Sequence, residues 1–124
     1  MSNKRILVVD DDALLPEVVG EVLAVELGCE VQVVSCASDA LAQMAFQPFD
    51  VVITDLHMPG MDGLDLMGRI QAWYPRTCLV LTTADMGPHV DQVLSGFRHS
   101  AKLSKPFSRE DLLCVVERAL DQCV

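Results

Sequence analysis

The chain of 124 residues contains no apolar run approaching the roughly 18 residues that a membrane-spanning helix needs. Its start, Met1-Ser-Asn-Lys-Arg5, passes directly into a four-residue apolar run and lacks a signal-peptide core, so the expected compartment is the cytoplasm. Bases are scarce: nine Lys and Arg stand against eighteen Asp and Glu, a formal net charge of −9. Phosphate backbones and anionic membranes select for Lys and Arg, so direct nucleic-acid contact and membrane docking are not expected of this segment. There is no CxxC pair and no Cys/His metal spacing; the five cysteines (Cys29, Cys36, Cys78, Cys114 and Cys123) are odd in number and scattered. That pattern excludes a disulfide framework and predicts small buried thiols in a reducing compartment, with Cys123 exposed near the end. No linker, internal repeat or low-complexity stretch interrupts the chain.

What is present is a well-stocked core. Apolar residues make up 51%, which excludes a disordered chain. At this length one domain, residues 1–124, is the default, burying about two-thirds of its unfolded surface. Ile6-Leu-Val-Val9, Val51-Val-Ile53 and Leu79-Val-Leu81 are wholly apolar runs, as expected of strands covered on both faces of a parallel sheet. Glu30–Val34 is a weaker strand and Ala101–Ser104 a poor one on propensity. Helical spacing lies between them. Leu15, Val18, Val19, Val22 and Val25 form a stripe with Asp12 as its cap, Pro16 in the first turn and Gly20 as a cost. Ser38 is expected to cap a helix running to about Gln47. Asp62 is expected to cap one that turns Leu66, Ile70 and Trp73 inward and stops at Pro75. Val90, Val93, Leu94 and Phe97 fit a helix beginning near Gly87-Pro88. Ser108-Arg-Glu-Asp111 is a capping-box variant before Leu112, Val115, Val116 and Ala119. The order is βα five times over, which implies an open, doubly wound parallel sheet with helices on both faces.

Ligands of such sheets sit outside the carboxyl ends of the strands. There the sequence places Asp10-Asp11-Asp12, Thr54-Asp55, Thr82-Thr83 and Lys105-Pro106. Singly, each has a plain reading: a helix cap, a β-propensity threonine, a solvated lysine. Together they put carboxylates, hydroxyls and an ammonium on one rim. Three converging carboxylates repel one another unless a hard divalent cation joins them, and oxygen-only ligands favour Mg²⁺ over zinc. A carboxylate beside that cation can act as a nucleophile toward a phosphoryl group, with the metal, a lysine and a hydroxyl balancing the oxygens. Asp62-Gly-Leu-Asp65 lacks the ligand spacing of a calcium loop.

These residues resemble the receiver domain of bacterial two-component response regulators, of the chemotaxis-regulator type. The likeness is carried by Ile6-Leu-Val-Val-Asp-Asp-Asp12, Asp50-Val-Val-Ile-Thr-Asp-Leu-His-Met-Pro-Gly-Met-Asp-Gly63, Leu81-Thr-Thr-Ala84 and Lys105-Pro-Phe107, in order and across essentially the whole chain. The resemblance implies a flavodoxin-like fold with strand order 2-1-3-4-5 and a cis Lys105-Pro106 bond. It implies Asp55 as phosphoacceptor. Asp11 and Asp55 would be Mg²⁺ ligands, with Asp10 holding a metal-bound water and the backbone carbonyl of His57 completing the protein ligands. It implies Thr83 as the switch hydroxyl and Lys105 as partner of Asp55 and then of the phosphoryl group. A sensor histidine kinase or phosphotransfer protein would be the donor. The surface of the fourth helix, fifth strand and fifth helix would meet an effector domain or protein, and a phosphorylation-dependent homodimer is left open. On this reading the chain is a slow self-dephosphorylating switch and not an enzyme in its own right.

The chain departs from the pattern in places. Lys102 stands where receivers carry Tyr or Phe, and is read as surface. Arg98-His99 replace Gly-Ala before the fifth strand. His57 and Asp85 flank the expected path of the hydrolytic water, where they are expected to pair and set the acyl-phosphate lifetime. His89 is read as exposed, and Met58, Met61 and Met67 as loop and core packing. Two other readings compete. Asp10-x-Asp12 fits the first motif of a haloacid-dehalogenase-type phosphatase formally, but the later acidic Gly-Asp motif is missing. An interaction module that works without phosphorylation is opposed by the full set of Asp11, Asp55, Thr83 and Lys105. The charge is also uneven: residues 1–65 hold twelve acids and two bases, and residues 66–124 six acids and seven bases.

Overall fold

In the computed structural model, which describes residues 3–85 and 87–122, the apolar runs become strands and the periodic stretches helices. The elements are β1 Arg5–Val9, α1 Leu15–Leu27, β2 Glu30–Val34, α2 Ala37–Phe46, β3 Val51–Asp55, α3 Gly63–Trp73, β4 Cys78–Thr83, α4 Pro88–Leu94, β5 Ser100–Ser104 and α5 Arg109–Gln122. The strands form one parallel sheet of order β2-β1-β3-β4-β5. The chain moves outward from β1 to β2, then returns past β1 to β3. That reversal puts α1 and α5 on one face and α2, α3 and α4 on the other, as the right-handed rule for parallel crossovers requires. The fold is the flavodoxin-like arrangement expected.

The continuous apolar runs are explained by a core on each face. Leu7, Val9, Val52, Leu79 and Leu81 face α2, α3 and α4. Their neighbours Ile6, Val8, Val51, Ile53 and Val80 face α1 and α5. Period-two alternation therefore persists in the side-chain directions while polarity does not alternate, because neither face meets water.

Helix ends follow local chemistry less simply than the sequence suggests. Asp12 does not cap α1: the N-cap is Leu14, without a side-chain bond. The Asp12 amide instead donates to Asp10 Oδ1 at 2.9 Å. Ser38 does not cap α2 either, because the helix has already begun from Cys36 and places Ser38 inside its first turn. Asp62 does cap α3, accepting from the Asp65 amide. Ser108 and Asp111 form the reciprocal box: Ser108 Oγ accepts from the Asp111 amide at 3.0 Å, and Asp111 Oδ2 accepts from the Ser108 amide at 3.3 Å.

The inward faces of two helices also differ from expectation. In α1 the buried residues are Pro16, Val19, Gly20 and Leu23, while Val18 and Val25 are exposed. Both arcs of α1 carry valine, so hydropathy alone cannot choose between them; the close approach at Gly20 does. A Cβ there would stand 3.3 Å from Val31 Cγ1 of β2, so the glycine entered as a cost is where helix meets sheet. Trp73 is 62% exposed, not inward, because α3 ends at that residue and the sheet no longer lies beneath it. Cys29 and Cys78 are buried, Cys36 is half-buried and Cys114 is exposed on α5. The expectation of buried thiols therefore fails at Cys114, and Cys123 lies outside the described residues. Met58 and Met67 are buried and Met61 packs against the core, as expected.

Candidate functional site

Strand register assembles the site. Val9 pairs with Thr54, so the residues that follow, Asp10 and Asp55, leave adjacent strands side by side. Thr83 pairs with Ser104, and the Lys105 amide donates to the Thr83 carbonyl at 2.8 Å, which brings Lys105 to the same rim. The Lys105-Pro106 bond is cis, in line with the sequence reading.

Asp10, Asp11 and Asp55 each present a carboxylate oxygen within 4.8 Å of the others. Lys105 Nζ lies 3.4 Å from Asp10 Oδ2 and 3.4 Å from Asp55 Oδ1, closing the cluster with one positive charge. Asp10 is buried, Asp55 half-buried and Asp11 exposed. The cluster thus has a protein-facing floor and one open side. Burial raises the Asp55 carboxyl above its ordinary value; the charge of Lys105 pulls it back and that of Asp10 pushes it up again.

The carboxylates suit a small hard cation. Octahedral Mg²⁺ holds oxygens at about 2.1 Å, so opposite ligands stand about 4.2 Å apart, close to the spread of these three oxygens. Excess negative charge within that radius is what such an ion relieves.

The other expected residues are placed less directly. Thr83 is buried, and its Oγ1 accepts from the Asp85 amide at 2.9 Å; its hydroxyl is held by the β4–α4 loop. His57 lies two residues beyond Asp55, on the same rim, with an exposed side chain. Asp85 is not paired with His57 among the described residues. Its Oδ1 accepts instead from the Gly87 amide at 2.9 Å, at the residue that caps α4. Lys102 is more than surface: its side chain is only 18% exposed and its Nζ is 2.6 Å from Asp91 Oδ1 of α4. His99, standing where the resemblance expects a small residue, adopts a positive φ of 45°. His89 is exposed, as expected.

One residue that shapes this rim carries no mark in the sequence. Gly63 opens α3 and approaches the backbone of β3 so closely that a Cβ would stand 2.2 Å from the Asp55 carbonyl oxygen. Its amide donates to the Leu56 carbonyl at 2.8 Å. Gly63 thus fixes the β3–α3 loop against Asp55. The Asp62-Gly63 pair reads in sequence as an ordinary cap, and nothing local announces the long-range contact.

A family model described as the response regulator receiver domain matches residues 6–117. The chain is 38% identical over 116 residues to the response regulator protein FleR of Pseudomonas aeruginosa, covering 92% of this chain and 24% of that protein. It is 37% identical over 122 residues to the DNA-binding transcriptional regulator NtrC of Azospirillum brasilense, covering 98% and 25%. It is also 48% identical over 80 residues to protein-glutamate methylesterase/protein-glutamine glutaminase 2 of Anaeromyxobacter dehalogenans, covering 63% and 23%. The chain therefore spans about a quarter of the length of these curated relatives. Among solved structures, the chemotaxis response regulator CheY4 of Vibrio cholerae superposes with a TM-score of 0.86 at 29% identity, covering 96% of this chain and all of that one. A CheY-like receiver domain protein from Methanospirillum hungatei superposes with a TM-score of 0.88 at 28% identity, covering 98% and 96%.

Proposed function

The chain belongs to the response regulator receiver domain family, a signalling switch of phosphorylation-based two-component systems, and from that premise we propose how its own residues perform the switch. Residues 1–124 act as one receiver domain. Asp55 is the phosphoacceptor: a carboxylate oxygen attacks the phosphorus of a phosphohistidine on a sensor kinase or phosphotransfer protein. The new bond joins Asp55 oxygen to phosphorus, the phosphorus–nitrogen bond breaks, and the imidazole leaves with its electron pair. The observation that carries this reading is the closure of Asp10, Asp11 and Asp55 by Lys105, at 3.4 Å from both Asp10 and Asp55.

Asp11, Asp55 and the backbone carbonyl of His57 would hold Mg²⁺, with Asp10 holding a metal-bound water. The bound ion supplies charge neutralisation for the phosphoryl oxygens. Lys105 holds Asp55 before transfer and takes a phosphoryl oxygen after it. Thr83 gives up the Asp85 amide and turns its hydroxyl to the phosphoryl group, which frees the β4–α4 loop and reshapes the α4–β5–α5 face for an effector domain or protein. Water later cleaves the acyl phosphate, restoring the Asp55 carboxylate. The domain works in the cytoplasm, without direct nucleic-acid or membrane contact.

The test is intact-mass measurement with acetyl phosphate and Mg²⁺. An adduct of about 80 Da, the mass of one phosphoryl group, is expected on the native chain and is absent from Asp55→Ala. An interaction module that works without phosphorylation predicts no adduct at all. A phosphatase predicts continued turnover of a small phosphate in Asp55→Ala.

A further inference from the structure

Thr83 and Lys102 stand on one face of the sheet. Leu81 pairs with Lys102 and Thr83 with Ser104. Leu81 belongs to the core shared with α2, α3 and α4, and residues two apart in a strand point to the same face. A series of contacts joins the two residues on that side. Thr83 Oγ1 accepts from the Asp85 amide at 2.9 Å. Asp85 Oδ1 accepts from the Gly87 amide at 2.9 Å, and Gly87 caps α4. Asp91 of that helix accepts from Lys102 Nζ at 2.6 Å. The β4–β5 ladder closes the circuit.

The helix in that circuit is lightly restrained. α4 has seven residues and no side-chain cap bond, too short a helix to hold itself in water. Its buried side chains are Val90 and Leu94. Apolar contacts of that kind keep a helix on a sheet without fixing its angle, because the hydrophobic effect is non-directional. Two directional contacts tie it to β5. The Ser100 hydroxyl donates to the Leu94 carbonyl at 3.3 Å, at the far end. The Lys102–Asp91 pair lies nearer the loop that holds Thr83.

In this arrangement the Thr83 hydroxyl is engaged by the Asp85 amide while Asp91 is engaged by Lys102. On the phosphoacceptor reading of Asp55, on which this inference rests, Thr83 must release Asp85 to reach a phosphoryl oxygen. Asp85 is bonded to the start of α4, so the loop and the helix behind it shift together. We propose that the Lys102–Asp91 pair is a latch: it holds α4 and its leading loop where Thr83 stays tied to Asp85, and Thr83 reaches the phosphoryl group when the pair opens. Lys102 is thus a positioning residue for the switch, acting through Asp91 and never touching the phosphoryl group itself. Its hold is electrostatic, so either charge removed, or salt added, weakens it.

The test is the initial rate at which acetyl phosphate with Mg²⁺ adds the Asp55 adduct to the intact chain, followed by mass. Lys102→Met keeps the apolar stem and removes the charge; it is expected to label about two to five times faster, the bias that an exposed ion pair can exert. Lys102→Glu should label at least as fast. Lys102→Glu combined with Asp91→Lys restores the pair with its signs reversed and should return toward the native rate. Raising the ionic strength should narrow the gap between the native chain and Lys102→Met. In Thr83→Ala, which has no hydroxyl to hold, Lys102→Met should change the rate no further, as expected of two residues acting through one element. The inference is overturned, with the phosphoacceptor reading intact, if Lys102→Met labels at the native rate or slower. A reversed pair no nearer the native rate than Lys102→Glu alone, a gap that salt leaves unchanged, or an equal acceleration in Thr83→Ala overturns it as well. A native chain that takes up no adduct removes the phosphoacceptor reading and this inference with it.

Discussion

Lys102 Nζ stands 2.6 Å from Asp91 Oδ1, tying the middle of β5 to α4. Because the Asp91 side chain is 60% exposed, water screens the pair and its contribution to global stability is under about 1 kcal/mol. Its consequence is local: it fastens a short helix whose start depends on the Asp85–Gly87 contact. Asp91→Asn is expected to speed amide exchange across α4 while shifting the melting temperature by little. Exchange rates equal to those of the native chain would remove the pair as a restraint on this helix.

The raised carboxyl of Asp55 carries a pH signature. A group whose folded value lies above its unfolded one favours its neutral form in the fold. Its stabilising effect is therefore fully present below the unfolded value, about 3.9, and is lost as pH rises through the folded value. At neutral pH the charged Asp55 destabilises the metal-free domain. Asp55→Asn is then expected to melt higher than the native chain at pH 7, with the gain shrinking as pH falls toward 4. Urea denaturation at several pH values without Mg²⁺ tests this, and a gain independent of pH would contradict it.

Mg²⁺ should relieve the same repulsion from outside. At ten times its dissociation constant, a ligand that binds only the folded state stabilises by about 1.4 kcal/mol. Added Mg²⁺ is therefore expected to raise the unfolding midpoint of the native chain, and to do so much less in Asp11→Ala. Equal midpoints with and without the ion would argue against a site at Asp10, Asp11 and Asp55.

Two glycines of α3 should respond oppositely to alanine. At Gly63 a Cβ would meet the Asp55 carbonyl oxygen at 2.2 Å, whereas at Gly68 it would meet nothing within 4 Å. Gly63→Ala is expected to destabilise by about 1–3 kcal/mol, as overpacking does, and to slow phosphoryl uptake by shifting Asp55. Gly68→Ala is expected to stabilise by about 0.5–1 kcal/mol, by removing glycine's entropy from a helix interior. Denaturation midpoints give both signs.

Acyl-phosphate lifetime should depend on the loop that Asp85 organises. Since Asp85 Oδ1 is held by the Gly87 amide at 2.9 Å and not by His57, Asp85→Ala acts by loosening the β4–α4 loop as well as by removing a charge near the acceptor. His57→Ala removes only a rim side chain. Each is expected to change the dephosphorylation rate several-fold, followed as loss of the mass adduct with time. Lifetimes unchanged in both would show that neither side chain governs access of water.

Apolar runs and helical periodicity by themselves determine the layered fold. Wholly apolar strand runs and five alternating helical stripes leave few arrangements besides a doubly wound sheet. The strand-end rule then collects Asp10, Asp11, Asp55, Thr83 and Lys105 from distant parts of the chain, because parallel strands bring all their carboxyl ends to one edge. What the sequence left open was decided by contacts between elements. Hydropathy marks two valine arcs on α1, and only the approach of Gly20 to β2 selects the buried one. Asp12 and Ser38 carry cap chemistry, but the chain enters those helices elsewhere. Lys102 reads as a solvated base until α4 brings Asp91 to it, and Asp-Gly reads as a cap until Gly63 is laid against the Asp55 carbonyl. Periodicity and composition fix which residues avoid water; which side chain meets which is a property of strand register and helix placement, and those are set by the whole core at once.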